Sequence, residues 1–183
     1  MAAGYAGLAA FVATESILRR PGAASSLKAS SGDRGTTRMV AAAWGLAFEI
    51  PLLTRRMPGR PLPAVASPLG VAIQAGGVAL HAWSMRTLGR WYTTTLRTDA
   101  EHQAVVDAGP YALIRHPGYL GALMTWTGFA MTSRSITALV FVPAVIGTAY
   151  HLRVAAEEAL LRAELPGYPD YCRRTKRLIP FVW

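Results

Sequence analysis

The residues best equipped for chemistry stand at two places in the second half of the chain. Arg153 and Glu157 are four positions apart, so on a helix they share a face and can point into one pocket, with Glu158 beside them. There Glu157 suits a bound cation and Arg153 a bound anion. The same spacing also fits a solvated face on which Glu157 pairs with Arg153 and Glu158 with Arg162, each pair contributing roughly 0.2–0.5 kcal/mol. Spacing alone does not separate the two readings.

The other place is the run Gly109-Pro110-Tyr111-Ala112-Leu113-Ile114-Arg115-His116-Pro117-Gly118-Tyr119-Leu120-Gly121. Pro117 can open a helix at its first turn, and Gly118 and Gly121 leave part of one face without bulk, so a ligand can approach the backbone. The start of a helix offers unpaired N–H groups and a partial positive charge, which suit carboxylate or hydroxyl groups of a nucleotide-like ligand. Tyr111 and Tyr119 would add aromatic faces for a cation. The run reads as well as a loop entering a membrane helix, with His116 as its cap and the tyrosines as interfacial anchors. A metal is not expected: His81, His102 and His151 stand at no paired ligand spacing with His116, and the single cysteine, Cys172, excludes a thiolate cage and an intrachain disulfide.

The elements that must position these groups are apolar. The chain has 183 residues, is 52% hydrophobic and carries a formal charge of +9. Its basic residues punctuate apolar stretches instead of clustering with aromatics on a polar face, which argues against a nucleic-acid partner and for a membrane. Five stretches, about Gly4–Leu18, Met39–Leu53, Leu69–Met85, Tyr119–Met131 and Ile136–Leu152, predict an all-α bundle of about five transmembrane helices. Several are only about 15 residues, some 22 Å of helix, so flanking residues must extend them or the bilayer must thin. The first lacks a basic n-region and carries Glu15, so it reads as a retained span, not a signal peptide.

With the N-terminus outside, the loops carrying Arg19, Arg20, Lys28, Arg34 and Arg38, then Arg86, Arg90, Arg97 and Arg115, then the basic tail, all lie inside. That asymmetry predicts an integral membrane protein of an inner or plasma membrane with a cytoplasmic C-terminus. Ser25 to Thr37 reads as a flexible loop without chemistry, and Pro58, Pro61, Pro63 and Pro68 as a stiff connection. Residues 1–183 form one domain, with N-terminal spans over 1–85 and a more polar, aromatic half over 86–183. In the tail, Arg173, Arg174, Lys176 and Arg177 predict an interfacial anchor whose end, Leu178 to Trp183, dips back to the membrane.

In combination, the Gly-x-Tyr turn, Arg-His-Pro-x-Tyr-x-Gly, the Glu-Glu pair at a span end, Tyr-x-x-Tyr and the final Ile-Pro-Phe resemble the isoprenylcysteine carboxyl methyltransferase family and the related phospholipid N-methyltransferases, over about Gln103 to Trp183. The resemblance implies a helical membrane enzyme that holds S-adenosylmethionine in a cytosol-facing C-terminal pocket and admits a lipid-like substrate from the bilayer. It places cofactor contacts on Gln103, Ala104, Val105, Val106, Tyr111, His116, Pro117, Gly118, Tyr119 and Glu157, and a substrate-carboxylate arginine on Arg153. Where the family often has a histidine this chain has Gln103, with His102 displaced by one, and the family's further upstream glutamine falls near Leu96.

Methyl transfer from a sulfonium is an in-line displacement, for which the protein must position the reactants and exclude water. A carboxylate nucleophile needs no general base, and Arg153 could orient it by two parallel hydrogen bonds. An amine would have to lose a proton to Glu158 or His116. The expectation is therefore a carboxyl O-methyltransferase acting on an isoprenoid or other lipid-anchored acid, with phospholipid-headgroup N-methylation as the alternative and a non-enzymatic lipid-binding protein as a third reading.

Overall fold

The structure, a computed structural model, describes residues 1–19, 33, 35–54, 57, 61–92 and 104–179. They form six helices: α1 (Ala2–Leu18), α2 (Thr36–Thr54), α3 (Ala66–Leu88), α4 (Pro117–Thr132), α5 (Ile136–Glu164) and the short α6 (Tyr168–Arg174). Single 3₁₀ turns follow α3 at Gly89–Trp91 and precede α4 at Gly109–Ala112. Among the described residues there is no strand, and the one isolated bridge pairs Ile114 in parallel with Lys176. Each apolar stretch of the sequence lies within one of the first five helices, in the same order.

The helix starts follow from local chemistry. Pro117 occupies the first turn of α4, where its missing N–H costs nothing and its fixed φ is already helical. Ser135 caps α5 by accepting from the Ala138 N–H at 3.2 Å. Between α5 and α6 the chain reverses at Gly167, whose φ of +82° a side-chain-bearing residue would adopt only with strain.

Small residues set the closest packing. A Cβ on Gly77 would lie 2.5 Å from the Gly121 carbonyl, and one on Gly70 would lie 2.6 Å from the Gly128 carbonyl, so α3 and α4 touch backbone to backbone at two levels one heptad apart. Gln74, between them, donates to the Gly4 carbonyl at 3.0 Å and pins α1 to the same seam. Around this pair, Phe11 of α1, Ala47 of α2, Trp126 and Phe129 of α4 and Val142, Ile146 and Tyr150 of α5 fill the core. The Trp44 indole of α2 donates to the Tyr150 hydroxyl at 3.0 Å, so the buried polar ends of both rings are satisfied.

Large apolar side chains also face outward, among them Ile17, Leu53, Leu69, Trp83, Val140 and Phe141, as a lipid-facing surface would require. Of the described helices, only α5 combines the length and the hydropathy to cross a membrane on those criteria, and α1 is apolar but shorter. α2 and α3 have the length but are diluted by glycine, proline and polar residues. Five spans from the sequence thus become five helices, one of which passes a strict hydropathy test.

Candidate functional site

A cavity of about 380 Å³ opens between the helices, with walls from α1, α2, α3, α4 and α5, from α6 and from residues 104–106. Of the sequence-expected site residues, Ala104, Val105, Val106, Tyr111, His116, Gly118, Tyr119, Arg153 and Glu157 all line it. Pro117 is buried at the start of α4 just beside it. Gln103 lies outside the described residues, as do His102, Leu96 and the Pro180–Trp183 end of the tail.

Glu157 and Arg153 share the inner face of α5, but they do not pair directly. The Tyr119 hydroxyl donates to Glu157 at 2.8 Å and accepts from the Arg153 Nε–H at 3.2 Å. No described guanidinium lies within ion-pair distance of Glu157, whose carboxylate accepts from a phenol on the cavity wall. Its neighbours are aromatic: Tyr119 packs its ring 5.1 Å from Tyr150 and 5.8 Å from His116.

Arg153 is 4% exposed and is met by a carboxylate of the chain itself. Its Nη1 donates to Asp33, to the Thr36 hydroxyl at 2.7 Å and to the Thr37 hydroxyl at 2.9 Å. Burial pushes the Asp33 carboxyl up, but hydrogen bonds from Thr37 and Thr36 together with the Arg153 charge hold it below the usual aspartate range. The Ser25–Thr37 stretch, expected to carry no chemistry, thus supplies the polar clasp on Arg153. Asp33 lies in the polar stretch before the apolar run that starts at Met39, and nothing in its local spacing signals a partner 120 positions away.

Glu158 turns away from the cavity. Its Oε1 accepts from Arg115 Nε at 2.8 Å and lies 3.2 Å from His116 Nε2, while its Oε2 accepts from Arg162 at 3.1 Å and Arg177 at 2.8 Å. A 2% exposed carboxylate ringed by three guanidiniums is poorly placed to take the proton that the amine alternative would hand to Glu158 or His116, and its contacts are those of a residue that positions its neighbours. What it positions is the loop before α4. Burial works against the Arg115 charge, but the hydrogen bond and charge of Glu158 raise its pKa above the usual guanidinium value. Arg115 also donates to the carbonyls of Cys172 and Thr175.

The tail packs against the loop before α4. The Arg115 and His116 N–H groups donate to the Lys176 and Arg177 carbonyls at 2.8 and 3.1 Å, and the Tyr171 hydroxyl donates to the Tyr111 carbonyl at 2.6 Å. Tyr168 and Tyr171 close a small core with Leu165 and Val105, with Cys172 packed at its edge. His116 stands at the N-cap of α4, yet its ring does not cap the helix, being held by Glu158. Burial pushes the Tyr111 phenol well above its usual range, so it serves as a neutral hydroxyl.

A further polar cluster on the wall escaped the sequence reading. Glu15 of α1 lies 2.9 Å from His81 Nε2 of α3 and accepts from the Tyr92 hydroxyl at 2.5 Å, while His81 Nδ1 lies 3.0 Å from the Gly118 carbonyl. The available signal was an ionisable residue inside an apolar stretch, which marks function by default. Among the described residues, no group of three or more His, Cys, Asp or Glu side chains is placed to hold a metal ion.

The residues present suit S-adenosylmethionine on chemical grounds. A carboxylate with no ion-pair partner among the described residues, beside aromatic rings, matches a sulfonium, and Gly118 at the start of α4 lines the same cavity.

Comparison with known proteins bears on the family and the fold. Residues 70–163 match the model of the isoprenylcysteine carboxyl methyltransferase (ICMT) family. The nickel-cobalt-cadmium resistance protein NccN of Alcaligenes xylosoxydans xylosoxydans is 28% identical over 103 residues, 56% of this chain and 48% of that protein. A probable protein-S-isoprenylcysteine O-methyltransferase of Oryza sativa subsp. indica is 27% identical over 116 residues, 62% of this chain and 61% of the rice protein. The solved structure of the eukaryotic intramembrane Ras methyltransferase ICMT shares the fold at a TM-score of 0.58 and 21% identity, covering 80% of this chain and 52% of that one. The chain therefore spans about half to three fifths of the length of these relatives. With the family model covering just over half of its residues, the chain belongs to the isoprenylcysteine carboxyl methyltransferase family, whose members are integral membrane proteins.

Proposed function

We propose that this protein transfers a methyl group from S-adenosylmethionine to the carboxylate of a lipid-anchored, prenylcysteine-like acid at the cytosolic face of a membrane, with its five long helices in the bilayer. The observation that carries this reading is the shared cavity wall on which Glu157, without an ion-pair partner among the described residues, and Arg153 are joined through one tyrosine hydroxyl. Such a wall sets a cation site and an anion site on either side of one hydroxyl oxygen.

S-adenosylmethionine would supply an electrophilic methyl group on a sulfonium, held by Glu157, Tyr119, Gly118 and the 104–106 segment. Arg153 orients the acceptor's carboxylate, and the Asp33, Thr36 and Thr37 clasp fixes the guanidinium so that little conformational freedom is lost on binding. Phe11, Val12, Val40 and Trp44 line the α1–α2 side with apolar surface suited to a lipid chain and to excluding water. No base is required for a carboxylate. The amine alternative would need one, and both groups expected for it, Glu158 and His116, are committed to each other and to arginines.

Radiolabelled methyl transfer by purified protein, offered a panel of prenylated thioether acids, phospholipids and small thiols, tests the reading. Incorporation into the acids alone, lost in Arg153→Ala while cofactor binding persists, is the expected result. Incorporation into phospholipid amines, or full turnover by Arg153→Ala, sinks it.

A further inference from the structure

We infer that His81 is a positioning residue for the cofactor site: with a hydrogen on each ring nitrogen it bridges Gly118 of α4 to Glu15 of α1, and so sets the first turn of α4 where the methyl donor meets it. The inference rests on the reading of that turn as part of the S-adenosylmethionine pocket, and it adds to the pocket a residue from α3 that no motif singles out.

Packing brings the ring there. On α3, His81 follows Gly70, Gln74 and Gly77 among the buried residues. A Cβ on Gly121 would lie 2.7 Å from the His81 backbone nitrogen, so the close contact of α3 with α4 extends to this level. His81 is 5% exposed, lines the cavity together with Gly118, and stacks at a tilt 4.6 Å from the Phe11 ring.

Hydrogen accounting fixes the state of the ring. Nδ1 lies 3.0 Å from the Gly118 carbonyl, and Nε2 lies 2.9 Å from Glu15 Oε1. A carbonyl oxygen only accepts, so Nδ1 carries a hydrogen. Glu15 accepts from the Tyr92 hydroxyl at 2.5 Å and has Arg19 Nη2 3.6 Å from its other oxygen, the surroundings of an ionised carboxylate, so Nε2 must donate as well. A neutral ring would turn a lone pair on one of these two oxygens. Both contacts together describe an imidazolium, its charge met by Glu15 and by the Phe11 ring.

The Gly118 carbonyl and the Tyr119 N–H are the two ends of one peptide group. Because α4 begins at Pro117, that N–H has no carbonyl one turn earlier inside the helix. A charged donor on the carbonyl polarises the peptide and strengthens the N–H as a donor. It also fixes the backbone of Tyr119, whose hydroxyl orients Glu157 on the cavity wall. His81 therefore acts on the cofactor through Gly118 and Tyr119, without touching it.

Two substitutions divide the ring's contacts. In His81→Asn the amide nitrogen takes the place of Nδ1 and keeps the Gly118 contact, whereas in His81→Gln it takes the place of Nε2 and keeps Glu15. Calorimetry with S-adenosylhomocysteine on purified protein should show about a tenfold loss of affinity in His81→Gln and at most about threefold in His81→Asn. Their thermal unfolding should shift together, since each loses one buried contact. Nitrogen-15 spectra of histidine-labelled wild type should show a hydrogen on both ring nitrogens of His81, a count that stands even where a variant fails to fold. Equal losses of affinity in the two variants, or a bare ring nitrogen on His81, overturn the inference. Wild type that binds no S-adenosylhomocysteine sinks the cofactor reading and the inference with it, whereas equal losses from a wild type that does bind it sink the inference alone.

Discussion

The Tyr119 hydroxyl stands 2.8 Å from Glu157 and donates to it, which makes a residue of the Arg-His-Pro-x-Tyr run and a residue of the Glu-Glu pair one unit across α4 and α5. Because the phenol also accepts from Arg153, its proton must point at Glu157, so the carboxylate is oriented without being neutralised. Glu157→Gln removes the charge and keeps the shape. Its S-adenosylmethionine affinity should fall by about tenfold, roughly 1.4 kcal/mol. Tyr119→Phe keeps the charge but frees the carboxylate to rotate, and should cost a smaller factor, about fivefold. Calorimetry on both variants checks the order, and a larger loss for Tyr119→Phe would contradict it.

Glu158→Gln should be mainly a folding defect. Removing the charge leaves Arg115, Arg162 and Arg177 facing one another around a buried amide, with a cost of roughly 3–5 kcal/mol. Thermal unfolding in detergent should move down by several degrees, and cofactor affinity should fall as well because the 113–116 loop loses its tether. If Glu158 were instead a general base, the variant would keep its melting temperature and lose turnover alone.

Much of this was legible in the sequence, for identifiable reasons. Pro117 announces the start of α4 because its chemistry is local, and Arg153 and Glu157 share a face because helical spacing is local too. The partners are not local. Asp33 closes on Arg153, and Lys176 and Arg177 pair with the loop before α4, only because five helices bring distant segments together. The partners of Glu158 were hidden for the same reason. Neighbouring side chains on a helix diverge by about 100°, so of two adjacent glutamates one faces the cavity and the other faces the tail.

The glycines separate by surroundings, which makes them a control on the packing. Gly77→Leu places bulk against the Gly121 carbonyl at the α3–α4 seam, and should abolish folded protein or drop its stability by more than about 3 kcal/mol. Gly147→Ala on α5, with nothing within 4 Å of the added methyl, should be neutral or stabilise by about 0.5–1 kcal/mol through helix propensity alone. Opposite shifts in thermal unfolding are expected. A tolerated Gly77→Leu would mean that the two helices do not meet backbone to backbone.

The Asp33–Arg153 contact carries a pH signature of defined sign. The Asp33 carboxyl lies below its ordinary value of 3.8 in the folded protein, so folding favours its ionised form. Its contribution to stability is therefore complete above about pH 4 and fades as pH falls through the folded value. Asp33→Asn should destabilise the protein at pH 7 by about 2 kcal/mol or more, since Arg153 is left buried with a weaker partner. Below about pH 4 the unfolded chain takes up a proton on Asp33 that the folded protein resists, and the gap between the two proteins must narrow. Paired unfolding measurements from pH 7 down to pH 3 read this directly. A gap that stays constant across the range would show that Asp33 serves Arg153 as a hydrogen-bonding shape and not as a charge, which would in turn leave the guanidinium's full charge for the acceptor carboxylate.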